Sequence, residues 1–131
     1  MKNLLKKSKL KIFNDSRGKL FFYQQDNFVM KRIFFIEGKK NQFRGNHAHK
    51  KTKQVLININ SNAVVEIIGK NSKKIKFSKT GDIIEIPKLN WVKINFIKKG
   101  YIAVVCDQKY LKKDYIDNFE KFKKKLSLQN R

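Results

Sequence analysis

The stretch "QVLININSNAVVEIIG", residues 54–69, holds two runs dense in valine, isoleucine and leucine, joined at 60–62 by small polar residues. β-Branched side chains are stiff at χ1 and suit a pleated surface. Two such runs around so short a connection read as a pair of antiparallel strands, and neither shows the three-and-four spacing of an amphipathic helix. Outward from this pair, "FVMKRIFFI" (28–36), "KKIKFSK" (73–79), "DIIEIP" (82–87), "WVKINFI" (91–97) and "YIAVVCD" (101–107) share the same composition. Between them, "EGKKNQ", "KNSK", "KTGD" and "KKG" carry the Gly, Asn, Ser and Lys content of hairpin loops. Strands repeating about every ten residues with short turns predict an all-β sandwich or barrel.

The end of the chain is different. In "DYIDNFEKFKKKL" (114–126), Ile116, Phe119, Phe122 and Leu126 recur at three and four, and lysines crowd the last turn. The spacing predicts a helix with Asp114 as its cap, packed on the outside of the β structure.

At 131 residues and 40% apolar the chain is one domain long, 1–131, with no internal repeat or Pro/Gly-rich linker. Thirty-two basic against ten acidic residues give a net charge of +22, and all but four of the basic residues are lysine. Such a surface attracts phosphates, nucleic acid or anionic membranes. The joint excess of Lys, Asn and Ile is also what an AT-rich coding sequence produces, and charge runs are commonly solvated faces. The single cysteine, Cys106, forms no internal disulfide and needs no oxidising compartment. No uncharged apolar run approaches the ~18 residues of a membrane span, and "MKNLLKKSKLKIF" breaks its apolar residues with lysine, so no membrane association and a cytoplasmic location are expected.

Both histidines lie in "RGNHAHKK" (44–51), as His47 and His49. On a strand, residues i and i+2 project to one face, so the pair delivers two imidazoles to one spot. Metal binding, acid–base catalysis on a carbonyl compound and a structural hydrogen-bonded pair all fit that placement. A stable metal site needs a third or fourth donor. Metal-binding cupin barrels carry a glutamate near Gln54 and a further histidine where this chain has Val92, so no metal and no other cofactor is expected.

Taken together, "NDSRGKL", "KRIFFI", "RGNHAHKKTKQVL", "IPKLNW" and "YLKKDYIDNFEKF" resemble the nucleotide-sugar 3,4-ketoisomerases, small cupins acting on dTDP-4-keto-6-deoxyglucose. The likeness runs from about Phe13 to Phe122. It departs from the family at Phe34 and Phe35, where tyrosines are usual, at Val92, and at Leu111, Lys112 and Lys113, where an acidic residue follows Tyr110 in relatives.

The resemblance implies a single cupin-type β-barrel (jelly roll) with a C-terminal α-helix, and a homodimer with exchanged N-terminal strands. It implies a dTDP-linked 4-keto-6-deoxyhexose as substrate and a proton transfer through an enediol. His49 would be the base, His47 would position the sugar or shuttle a proton between its oxygens, and Arg44 would meet the developing oxyanion or a diphosphate oxygen. Arg17, Arg32 and lysines at the mouth would hold the diphosphate, with Trp91 or Phe21 stacking on thymine. Read without the resemblance, Arg17 is a turn-stabilising ion-pair partner, Arg32 a charge on an edge strand, and Trp91 and Phe21 core residues. Three other functions compete: a basic β-barrel binding single-stranded nucleic acid, disfavoured because the aromatics of "FVMKRIFFI" read as core, a sugar-binding or regulatory cupin without catalysis, and a dTDP-sugar epimerase, which wants a second acid opposite the base.

Overall fold

The structure, a computed structural model, describes residues 5–129. In chain order it forms strands β1 (Lys6–Lys9), β2 (Lys11–Asp15), β3 (Gly18–Phe22), β4 (Arg32–Gly38), β5 (Phe43–His49), β6 (Gln54–Asn58), β7 (Asn62–Ile68), β8 (Lys73–Phe77), β9 (Asp82–Ile86), β10 (Trp91–Lys98), β11 (Gly100–Cys106) and β12 (Tyr115–Ile116). A 3-10 turn at Lys112–Asp114 precedes β12, and helix α1 (Phe119–Gln129) follows it. The two apolar runs of residues 54–69 are β6 and β7, but they do not pair with each other. β6 lies between β9 and β11 in one five-stranded sheet, and β7 between β10 and β8 in the other. The short 60–62 connection therefore crosses between layers, as connections do in a jelly roll.

The first sheet runs β1-β9-β6-β11-β4 and the second β12-β5-β10-β7-β8, with β2–β3 as a separate hairpin. Alternation along each strand sends one side chain set into the space between the sheets. Leu56, Ile84, Ile102 and Val104 from the first meet Val65, Ile67, Phe77, Ile94 and Phe96 from the second in a single core cluster. A buried side chain of this size contributes roughly 1.5–3 kcal/mol relative to exposure, so this layer holds the fold together. The expected jelly roll is present, but its two sheets lie face to face and are not hydrogen-bonded into a closed barrel. The free edges of β4 and β12 therefore remain on one side of the core.

The second sheet also buries its outer face. Ala48, Leu89, Trp91 and Ile116 form a second cluster with Phe122 of α1, and Ile68 and Leu126 pack against it. The helix sits outside the β structure as expected, but it starts later than its sequence pattern suggested. Asn118, not Asp114, caps it, its Oδ1 accepting the Lys121 backbone N–H at 3.0 Å.

Candidate active site

The site begins with a defect in β5. Val92 pairs with His47 and Lys93 with Gly45, which leaves Asn46 without a partner. Gly45 and Asn46 both take positive φ, +86° and 62°, the backbone of a β-bulge with glycine in the left-handed position. A Cβ on Gly45 would lie 2.7 Å from the Val92 carbonyl oxygen, so only glycine fits. The bulge shifts the alternation by one residue. Arg44 lies across from Ile94 and His47 across from Val92, both core residues, so two side chains three apart in sequence face the same interior.

That interior is a cavity of about 380 Å³. Its apolar walls are Phe34, Ile36, Leu56, Val92, Ile94 and Val104, Phe43 and Gly45 complete the β5 side, and its polar groups are Arg44, His47, Gln54 and Tyr115. Beyond the bulge β5 alternates normally, with Ala48 turned out to the helix and His47 and His49 turned in, their rings 5.2 Å apart and nearly perpendicular.

The short strand β12 completes the arrangement by pairing with β5, Tyr115 beside His49 and Ile116 beside Ala48. Tyr115 therefore shares the inner face, with its ring 5.0 Å from His47 and 4.3 Å from His49. Immediately before it, Asp114 turns inward and accepts a hydrogen bond from His49 Nδ1 at 2.7 Å. Its carboxylate also accepts from the Lys51 backbone N–H at 2.6 Å and from the Thr52 hydroxyl.

An ionised carboxylate only accepts hydrogen bonds, so the proton of a neutral His49 stays on Nδ1 and Nε2 keeps its lone pair. That Nε2 is buried and has no hydrogen-bond partner. Buried polar atoms are nearly always paired, and an orphaned basic nitrogen beside a cavity marks a group held ready for a ligand. Burial lowers the affinity of His49 for a proton and Asp114 only partly restores it, so the imidazole is held below its ordinary value. Burial, reinforced by the neighbouring His49, pushes His47 down to about 4. Burial works to raise the Asp114 carboxyl, but hydrogen bonds from Thr52, His49 and Lys51 outweigh it and hold it low. Near neutral pH the constellation is two neutral imidazoles, one carboxylate and fixed arginines, which equips it to remove a proton from carbon and to meet the negative charge that results.

The other candidates are distributed unevenly. Arg32 is half-buried beneath the cavity, where Nη1 donates to Tyr115 Oη at 3.3 Å and Nη2 to Cys106 Sγ at 3.4 Å, with Phe34 and Tyr110 against its guanidinium. It is neither a free edge charge nor exposed to a diphosphate within this chain. Arg17 stands in the β2–β3 turn, 89% exposed and paired with Asp15 at 2.6 Å. Phe21 packs near Leu10 and Gly81 on the side of β1 and β9. Trp91 is buried on the outer face of the second sheet, against Phe119 and Phe122, and does not reach the cavity.

Among the described residues no group of three His, Cys, Asp or Glu is placed to hold a metal ion. Gln54, in the cavity, offers an amide in place of a carboxylate and Val92, in its wall, offers no donor, so the donor set is incomplete.

The comparisons with known proteins identify the family. The family described as "FdtA: WxcM-like, C-terminal" matches residues 4–127. The chain belongs to that family. Among its relatives, a TDP-4-oxo-6-deoxy-alpha-D-glucose-3,4-oxoisomerase of Aneurinibacillus thermoaerophilus is 30% identical over 124 residues, covering 88% of this chain and 89% of that protein. A 3,4-ketoisomerase from Helicobacter canadensis superposes with a TM-score of 0.87 at 28% identity, covering 94% of this chain and 97% of the other. The TDP-quinovose 3,4-ketoisomerase WlaRB from Campylobacter jejuni gives 0.83 at 30% identity, covering 90% and 95%. This FdtA-type chain thus shares its jelly roll, over nearly its full length, with enzymes that isomerise TDP-linked sugars.

Proposed function

We propose that this chain is a sugar-nucleotide 3,4-ketoisomerase, acting as a single domain. Its reaction converts dTDP-4-keto-6-deoxy-D-glucose to a dTDP-3-keto-6-deoxyhexose on the way to a 3-amino-3,6-dideoxysugar. One observation carries the reading: the bare, buried Nε2 of His49, oriented by Asp114, beside a cavity of about 380 Å³. That volume is at the lower end of ligand cavities, ~300–1,000 Å³, and suits one sugar with the nucleotide extending outside. His49 takes the C3 proton and returns it to C4. His47 positions the ring, and Arg44, an exposed residue on the cavity wall, meets the enediolate oxygen with a fixed charge. The incomplete donor set makes this a metal-independent reading of the fold.

The nucleotide-binding roles of Arg17 and Phe21 require a second copy, since both lie away from the cavity of their own chain. A homodimer with exchanged N-terminal strands supplies it. The β2–β3 hairpin exposes Ile12 (49%), Phe13 (60%) and Leu20 (58%), and β4 exposes Ile33 (50%) and Phe35 (62%), more apolar surface than a monomer normally leaves wet. In this assembly the hairpin of one copy lies over the partner, bringing Arg17 to a diphosphate. Arg32 acts from beneath the sugar, and Trp91 supports the catalytic strand from behind. No helix among the described residues is long and apolar enough to cross a membrane, and a cytoplasmic reaction on a nucleotide sugar fits the lone unpaired cysteine. Nucleic-acid binding and epimerisation are not favoured by the family or its relatives.

The test is proton NMR of dTDP-4-keto-6-deoxyglucose incubated with the protein in D2O. Signals of a 3-keto sugar are expected. A substrate spectrum that never changes would overturn the assignment.

A further inference from the structure

Moving a ketone from C4 to C3 relocates two protons. One leaves C3 and arrives at C4, and the other leaves the C3 hydroxyl and arrives at the C4 oxygen. His49 Nε2 accounts for the carbon proton, and while it holds that proton it has no lone pair left for the oxygens. Among the residues lining the cavity only Tyr115 carries a hydroxyl. Its Oη accepts a hydrogen bond from Arg32 Nη1 at 3.3 Å. A guanidinium only donates, so the phenolic proton is not used in that contact, and among the described residues it has no other acceptor.

We propose that Tyr115 is a catalytic residue, its hydroxyl carrying the oxygen-bound proton from one reacting carbon to the next. The proposal rests on the ketoisomerase reading above. In the first half, His49 removes the C3 proton, the C3–H electron pair forms the C3=C4 double bond, and the carbonyl oxygen at C4 takes the Tyr115 proton to give the enediol. In the second half the Tyr115 oxygen takes the proton from the C3 hydroxyl, C3=O forms, and the C3=C4 electrons take the His49 proton at C4. Every proton is returned, and no oxidant or co-reactant is needed. Between the halves the Tyr115 oxygen bears a negative charge that faces the fixed cation of Arg32, and His49 bears the matching positive charge beside Asp114. The ring of Tyr115 lies 5.0 Å from that of His47 and 4.3 Å from that of His49, and the residue also lines the cavity.

The experiment separates the two proton paths. Wild type and Tyr115→Phe are incubated with dTDP-4-keto-6-deoxyglucose in D2O, and NMR follows loss of the C3 proton signal and appearance of the 3-keto sugar independently. In the variant, C3 exchange within about tenfold of wild type is expected, because His49 and Arg44 are intact. Formation of the 3-keto sugar should fall by ~10²–10³-fold, the scale of a lost proton-transfer group. Product formed at the wild-type rate would overturn the proposal, and so would exchange and product lost together in a variant that still melts cooperatively and binds TDP. A wild type that gives no 3-keto sugar would instead refute the ketoisomerase reading. If the phenylalanine variant does not fold, a fluorinated tyrosine at 115 keeps the shape and makes the hydroxyl more acidic. The alkaline limb of product formation should then move to lower pH, and an unmoved limb would overturn the proposal.

Discussion

At its C-terminal end β5 has two dry faces that are chemically opposite. On one, Ala48 packs under Trp91, Ile116 and Phe122, all at 6% exposure or less; on the other, His49 and Asp114 are 4% and 6% exposed. Apolar contacts satisfy the outer face completely. On the inner face hydrogen bonds satisfy Asp114 and His49 Nδ1 and leave His49 Nε2 bare. Depth of burial thus does not distinguish scaffold from site on this strand, whereas the unspent nitrogen of His49 beside the cavity does. The same two strands, β5 and β12, build both, because each residue turned inward requires a neighbour turned outward. Helix α1 is the cover for those neighbours.

Breaking the inner face has the largest expected effect. His49→Asn should reduce ketoisomerase turnover by ~10²–10⁴-fold, the usual contribution of a general base, while thermal protection by TDP remains. Asparagine keeps a polar group against Asp114, so the outer face is undisturbed. If turnover survived within a few fold, the base would be His47 and the comparison between the two imidazoles would have to be reversed.

Breaking the outer face should do the converse. Phe122→Ala removes a fully buried ring from beneath Trp91 and Ala48 and should destabilise the fold by ~3–5 kcal/mol, read by urea denaturation. TDP present in excess should recover folded protein whose turnover per folded molecule is close to wild type. Turnover per folded molecule that collapses along with stability would show that the helix shapes the site as well as sealing it.

How much of this is legible in sequence follows the same division. The strands β4 and β6 to β11 announce themselves by their apolar content, whereas β5, exposed over its first four residues, is legible only through the HxH pair, read as two imidazoles on one side. The hairpin β2–β3 gives no alternating signal because neither strand has a buried face. The sequence pattern starts the helix too early, at Asp114 instead of Phe119, because Ile116, on β12, falls three residues before Phe119 and converges on the same cluster as Phe122 and Leu126. That coincidence hides Asp114, whose partner His49 lies 65 positions away. No local pattern links residues so separated; only the pairing of β12 with β5 does. The bulge is hidden too. An uninterrupted strand would send Arg44 and His47 to opposite faces, and only the Gly45–Asn46 backbone reconciles them.

The smallest expected effect is on stability against pH, and it tests whether the inner face is held neutral. His47 is pushed from 6.5 down to about 4 in the folded chain, and His49 moves in the same direction. Above pH 6.5 both folded and unfolded chains leave these rings neutral, so neither contributes. As pH falls below 6.5 the unfolded chain binds protons that the folded chain refuses, and folding stability declines. The decline ends for His47 near pH 4, where the folded ring also charges. Asp114 acts in a separate window: held below its ordinary 3.8, its contribution is present above that pH and is lost only as pH falls further. Between pH 6.5 and 5.5 the His47 effect is at most ~1 kcal/mol, reduced by its partial exposure. Urea denaturation across that interval should show the loss in wild type and a flatter profile in His47→Gln. Identical profiles would mean that His47 is charged as readily in the fold as out of it, and that the cavity is wet where its walls are apolar.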